Sequence, residues 1–458
     1  MSKFRSKKII GALILFTLFL AFVACNQQKA AVEETGIRSM VLGVNREVKL
    51  ADGSYVRAIN FDNAATTPAF ISVMEEVNRQ LELYGSIGRG KGQKSQHSTE
   101  IYEKGRLAIL NFVGADPEKY TAFYVNNTTD GLNKLASAII TSENDIILTT
   151  RMEHHANDLP WRRRGRTIYA DVDSLGRLRM DEIERLLQEN DVKIVTITAA
   201  SNLTGYVNDV HAVAELARKH GAKIVVDGAQ IVAHRKFNMQ TGNPLQDIDF
   251  FVFSAHKMYA PFGGGAVVGL REVLDKHIPK FYGGGSVGIV SDYEETYLSA
   301  PELYESGSPN YPGVVAMIRA IEILDSVGFD YIVEHEQVLM RRTIDGLKKI
   351  NGVKLYGDVE NISDKVGIVI FSIDGMTHSD VAERLANNYG ISVRQGAFCS
   401  HPYAFRLLGI PDEEVVKMMR SETYEMPGMV RVSFGIYNDE AEVDVFLKAV
   451  KEIAAGRN

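Results

Sequence analysis

Short apolar runs alternate with amphipathic stretches along most of this chain of 458 residues. Residues 120–125, 145–150, 192–198, 223–226, 250–253 and 266–269 are brief and rich in β-branched and aromatic side chains, which fits buried strands. Residues 130–140 and 210–220 repeat apolar positions at helical spacing, as do 71–83 and 98–113 before the first strand. Thr67-Pro68 supplies a start signal for the helix over 71–83, and Gly114 closes the one over 98–113. Strands separated by helices predict an α/β fold whose mostly parallel sheet is covered on both faces.

The pattern changes after Gly307-Ser308-Pro309-Asn310. Long helices are predicted over 314–327 and 330–350. Strands follow at 366–372, 392–394 and 430–434, with helices at 379–388 and 440–455. The reading is a large domain over 58–312 and a small C-terminal α+β domain over 313–458. Part of the segment 26–57 is expected to complete the smaller one.

The N-terminus has a different character. Lys3, Arg5, Lys7 and Lys8 precede an uncharged apolar run, 9–24, that ends at Cys25. Basic residues followed by a short hydrophobic stretch mark a signal peptide. The run is also shorter than the roughly 20 residues that span a bilayer. Phe22-Val23-Ala24-Cys25 is similar to the lipobox of bacterial lipoproteins, with Phe22 where leucine is usual. Residues 1–25 are therefore read as a signal peptide and lipobox with Cys25 as the lipidated residue. Asn26-Gln27-Gln28-Lys29 begins a polar tether. This predicts an exported protein, lipid-anchored to a bacterial membrane. The same run is also compatible with an uncleaved anchor, and a start at Met40 gives a cytoplasmic protein.

Composition narrows the function classes. The chain is 45% hydrophobic and 24% charged, the balance of a globular protein with a large core. A formal net charge of −7 and no basic run beyond the N-terminus argue against a nucleic-acid surface. With Cys25 and Cys399 the only cysteines, a disulfide framework is excluded, and so is a cysteine-built metal or iron–sulfur site.

Candidate chemistry gathers where strands end. The apolar run 250–253 leads into Ser254-Ala255-His256-Lys257. A lysine beside a buried strand is costly unless it is paired or chemically used. Burial lowers its pKa and yields a neutral, nucleophilic amine, which an aldehyde cofactor such as pyridoxal 5'-phosphate requires. Taken alone, the tetrapeptide fits a snorkelling surface lysine better. Four other strands end in polar groups: Asn127-Thr128-Thr129, Glu153-His154-His155, Ser201-Asn202 and Asp227-Gly228-Ala229-Gln230. Ligands of parallel sheets collect at such ends. Asp227 is suited to face the pyridine nitrogen and His154 to stack on the ring. Gln230 and Asn202 are candidates for the phenolic oxygen. Thr129, with Thr128 beside it at a helix start, favours the phosphate, and Ser254 and His256 add donors. Asp227 could instead cap a turn, and His154 could be an exposed loop residue.

With these residues in view, the chain resembles the class V aminotransferase family of fold-type I pyridoxal-phosphate enzymes. Within it, the chain is similar to the cysteine desulfurase and selenocysteine lyase branch. The resemblance runs from about residue 58 to 457. Phe61 to Pro68, Asn127 to Gly131, Glu153 to Asn157, Asp227 to Gln230, Phe253 to Lys257 and Gly307 to Asn310 carry it. It implies a large domain with a seven-stranded sheet, Lys257 as the imine-forming lysine, Asp227 on the pyridine nitrogen and His154 on the ring. It also implies that Ser308 reaches the phosphate of a neighbouring subunit, and hence a homodimer. Val393-Arg394-Gln395-Gly396-Ala397-Phe398-Cys399 has the Arg-x-Gly-x-x-Cys spacing of the desulfurases, whose loop cysteine takes sulfur from the substrate. Arg431 matches the family's arginine for the substrate carboxylate, with Arg394 and Asn202 as further substrate contacts. The implied reaction converts L-cysteine to L-alanine and leaves a persulfide on Cys399. Lys257, Cys399 and His154 are the catalytic candidates. Ser400-His401-Pro402-Tyr403 departs from the best-known desulfurase loops, and Cys399 could be an inert cysteine. Transamination, epimerisation or β-elimination on another amino acid therefore stays open, as does a lipid-anchored binding protein that keeps the fold without catalysis.

Overall fold

The computed structural model describes residues 36–88, 90–421, 424 and 426–456. The signal peptide, Cys25 and the polar tether through residue 35 lie outside the described residues. Seven strands form the central sheet: β1 Tyr120–Val125, β2 Ile146–Thr150, β3 Arg166–Ala170, β4 Val192–Thr198, β5 Lys223–Asp227, β6 Phe250–Ser254 and β7 Gly265–Leu270. Their spatial order is β1-β7-β6-β5-β4-β2-β3. All neighbours from β3 to β6 pair in parallel, and β7 runs antiparallel between β1 and β6. The apolar pattern does not reveal β3. It is an edge strand whose first four residues are exposed or half-buried, so it lacks the continuous hydrophobic run of its neighbours.

Alternation along each strand divides the core in two. Phe251 and Phe253 of β6 join one cluster, with the helices Ile71–Leu81, Gln93–Phe112 and Tyr311–Val327. Phe250 and Val252 face the opposite cluster, with the helix Thr128–Ile139 and Trp161. The helix Tyr311–Val327 was expected with the C-terminal domain. Its buried Tyr311, Val314, Ala320 and Leu324 lie instead in the core of the large sheet. Helical spacing shows that a face is buried, not which core receives it.

A third core belongs to a four-stranded antiparallel sheet of β8 Val353–Leu355, β9 Ile368–Ile373, β10 Arg394–Gly396 and β11 Met429–Ser433, ordered β8-β9-β11-β10. Ile59 and Phe61 from the N-terminal side pack there against Val369, Phe371, Val432 and Phe446. The strand predicted at 392–394 is two pieces. Ile391–Ser392 runs parallel to Ile59–Asn60, while β10 pairs with β11, so two different partners divide the chain at Val393.

Thr67-Pro68 does not start a helix. The helix begins at Ile71. Thr67 Oγ1 accepts the Tyr259 N–H at 2.7 Å and donates to the His256 carbonyl at 3.2 Å, tying the N-terminal turn to the lysine loop.

Candidate active site

The carboxyl ends of β2, β4, β5 and β6 and the start of the helix after β1 open onto one cavity of about 530 Å³. Thr128, Thr129, His154, Asn202, Asp227, Gln230, Ser254, His256 and Lys257 all line it, together with Arg394, Cys399 and Arg431. Ser308 does not. It is exposed and lines a separate cleft with Glu305, Lys134 and Asn310.

Lys257 sits in a single turn at the end of β6. Burial pulls its pKa down to about 8 and outweighs the opposing attraction of Asp227. Among the described residues its ammonium has no hydrogen-bonding partner. Asp227, the last residue of β5, is buried, and burial raises its pKa despite the Ala229 N–H donating to Oδ1 at 2.9 Å and the charge of Lys257. Gly228 is required beside it, because a Cβ there would fall 2.1 Å from the Phe251 ring. His154 accepts the Ala156 N–H on Nδ1 at 3.0 Å. Burial, with Lys257 nearby, pushes it down to about 3, so it is a neutral ring with its proton on Nε2. His256 is likewise held to about 4 by burial and Lys257.

The helix Thr128–Ile139 brings its N-terminus to the cavity because Gly131 lets it lie against the sheet; a Cβ there would meet Val252 at 2.6 Å. Ser254 Oγ accepts the Thr128 N–H at 2.7 Å and is 2.7 Å from Thr128 Oγ1. Two hydroxyls sharing one hydrogen bond leave one proton between them for a ligand. Ser254 and Thr128 therefore act as a pair, not as two independent donors. Gln230 Nε2 donates to the Ala64 carbonyl at 2.8 Å, and its buried Oε1 has no partner among the described residues. That orphaned acceptor suits a ligand hydroxyl.

Asn202, which lines the cavity, also holds the cysteine loop. Nδ2 donates one N–H to the Phe398 carbonyl at 2.8 Å and Oδ1 accepts from Ser400 Oγ at 2.9 Å, which leaves the second N–H of the amide for a ligand. The amide ends in a buried turn whose polar groups need partners, and that loop provides them. Arg431, on β11 and 3% exposed, donates from Nη1 to the Asn202 carbonyl at 2.7 Å and from Nη2 to Asp62 Oδ1 at 3.0 Å. Its Nε is buried without a partner among the described residues, and its guanidinium lies 5.1 Å from the Phe398 ring centre. Arg394 is exposed and reaches the other oxygen of Asp62 at 3.6 Å. Cys399 is exposed at the cavity and has φ 56°.

Two residues carry more of this site than spacing suggested. Asp62 stands within the motif that carries the resemblance, yet nothing local marks it as the partner of two arginines more than 300 residues away. Glu153, beside His154, is buried with Thr150 Oγ1 at 2.6 Å and Asn157 Nδ2 at 2.7 Å, and burial raises its pKa to about 8.

A neutral-prone lysine, a buried aspartate opposite it, a neutral imidazole and a helix N-terminus around one cavity define a pyridoxal-phosphate enzyme of fold type I. The Aminotransferase class-V profile matches residues 59–446, and the chain belongs to that family. More particularly, it is similar to proteins named cysteine desulfurase. It is 33% identical over 382 residues to the cysteine desulfurase of Salmonella typhimurium, covering 81% of this chain and 86% of the relative. It is 31% identical to the probable cysteine desulfurase of Halalkalibacterium halodurans, covering 86% and 92%. The solved cysteine desulfurase of Thermococcus onnurineus superimposes with a TM-score of 0.78 at 30% identity, covering 87% of this chain and 95% of that one.

Proposed function

We propose that this protein is a cysteine desulfurase that converts L-cysteine to L-alanine and carries the sulfur as a persulfide on Cys399. One observation supports this above the others: Cys399 and the guanidinium of Arg431 line the same cavity as Lys257, Asp227 and His154.

The side chains fit the cofactor. Gln230 Oε1 is an orphaned acceptor, Thr128 and Ser254 have one free hydroxyl proton at a helix N-terminus, and Lys257 lies close enough to Asp227 to feel its charge. Bound pyridoxal phosphate supplies an aldehyde that condenses with amines and a ring that delocalises an electron pair. Asp227 holds a proton at the ring nitrogen. His154, neutral and fixed by Ala156, presents its face. Arg431 binds the substrate carboxylate through its unpartnered Nε edge, a planar fork suited to that group. Lys257 Nζ takes the substrate Cα proton. Cys399, as thiolate, attacks the substrate sulfur: an S–S bond forms, the Cβ–S bond breaks with its electron pair left on the carbon side, Cβ gains a proton, and Lys257 Nζ returns a proton to Cα to give alanine.

The test is L-cysteine turnover with alanine and sulfide measured together. Wild type should release alanine, and Cys399→Ala should not. Unchanged alanine release by that variant would remove the persulfide step while leaving the cofactor assignment standing.

Two further features belong to the same reading. Ser308 lies outside its own cavity and is exposed, which supports a homodimer in which it reaches the neighbour's phosphate. A dimer by sedimentation and weaker cofactor retention in Ser308→Ala are the expected results; a monomer of full activity would refute it. The basic and apolar N-terminus supports lipidation at Cys25. Cys25→Ser should abolish incorporation of a labelled fatty acid, and unchanged incorporation would count against lipidation at Cys25.

A further inference from the structure

Phe398 and Cys399 both adopt the left-handed backbone region, at φ 53° and 56°. That conformation costs a residue with a Cβ about 1–2 kcal/mol, so two in succession persist only where surrounding bonds hold them. The turn is held from both sides. Asn202 takes it at two points, donating to the Phe398 carbonyl at 2.8 Å and accepting the Ser400 hydroxyl at 2.9 Å. The His155 N–H donates to the Cys399 carbonyl at 2.7 Å, and the Ser400 N–H closes the turn on the Ala397 carbonyl at 2.9 Å. Ser400 has no exposed surface. Its hydroxyl is the turn's own polar contribution to the clamp, and Asn202 and His155 follow β4 and β2 of the large sheet.

Asn202 also joins this turn to the arginine. Its backbone carbonyl accepts Arg431 Nη1 at 2.7 Å, and the Phe398 ring packs beneath the same guanidinium. The thiol and the guanidinium are thereby fixed to one residue of the large domain.

We propose that Ser400 and Asn202 are positioning residues that hold Cys399 in a preset attacking geometry, locked in register with the Arg431 guanidinium. The proposal rests on the reading of Cys399 as sulfur acceptor. Removing the Ser400 hydroxyl frees one end of the strained turn and leaves Lys257, Asp227, His154 and the hydroxyls of Thr128 and Ser254 in place. In the holoenzyme, Ser400→Ala is expected to lower kcat for alanine release about tenfold with KM within twofold of wild type. Cofactor absorbance should be unchanged, and amide hydrogen exchange over residues 397–401 should be at least tenfold faster. Asn202→Ala, tested alongside, should speed exchange over the same residues. The proposal is overturned if Ser400→Ala keeps both the wild-type kcat and the wild-type exchange, or if its loss of activity follows loss of cofactor absorbance. Failure of the acceptor reading shows up separately, as alanine release retained in Cys399→Ala.

Discussion

Arg431→Lys examines the carboxylate anchor at fixed charge. Arg431 has donors in three directions: Nη1 on the Asn202 carbonyl, Nη2 on Asp62, and a buried Nε without a partner among the described residues, which the proposed function assigns to the substrate. A lysine presents one ammonium on a flexible stem. It can satisfy Asp62 or the Asn202 carbonyl, and it leaves the substrate carboxylate without the second arm of the fork. A hydrogen bond to a charged group contributes about 1.5–3 kcal/mol. Losing one arm therefore lowers kcat/KM for L-cysteine roughly 10- to 150-fold, at about 1.4 kcal/mol per factor of ten. The carboxylate is charged throughout the reaction, so the loss is one of uniform binding and falls mainly on KM. Initial rates of alanine release across L-cysteine concentrations measure both constants, and the cofactor absorbance should be unchanged because Arg431 is not among the cofactor-holding residues. A kcat/KM within threefold of wild type, or a loss confined to kcat, would refute the assignment.

Lys257→Ala should abolish the absorbance band of the bound cofactor, while the same variant retains the fold by circular dichroism; a retained band would overturn the lysine assignment. Cofactor uptake by the cofactor-free protein should rise with pH through about 8 rather than near the ordinary lysine value of about 10.5, because only the neutral amine condenses with the aldehyde; a rise centred above 10 would contradict the burial argument. Glu153 has its pKa raised to about 8 by burial, so the folded state binds its proton more tightly than the unfolded chain does. Its stabilising contribution is complete below the unfolded carboxyl value of about 4.3 and is lost as pH rises toward and through 8. Glu153→Gln keeps the neutral shape, so its Tm relative to wild type should improve as pH rises from about 5 to 8 and level off above 8; parallel Tm profiles would show that Glu153 ionises freely.

Much of this protein was determined locally. The buried strands announce themselves because both faces of a parallel sheet need apolar side chains, and each of the five polar strand ends sits where its run of apolar residues stops. Lys257, Asp227 and His154 were therefore legible as candidates from position alone. The edge strand Arg166–Ala170 was not, because partial exposure removes the signal that marks its neighbours.

Tertiary structure decided which groups meet and which are already occupied. Asn202 reads as a ligand contact in the chain, and it also closes on Phe398 and Ser400 almost 200 residues away, which no local pattern shows. Thr67 reads as a helix cap but binds the backbone of the lysine loop. Asp62 acquires its place between Arg431 and Arg394 only when Ile59–Asn60 pairs with Ile391–Ser392. The physical reason is the same in each case. Burial of apolar residues is a property of each segment's own pattern, whereas a hydrogen bond or ion pair needs two groups within about 3 Å, and their partnership exists only after the chain has brought them together.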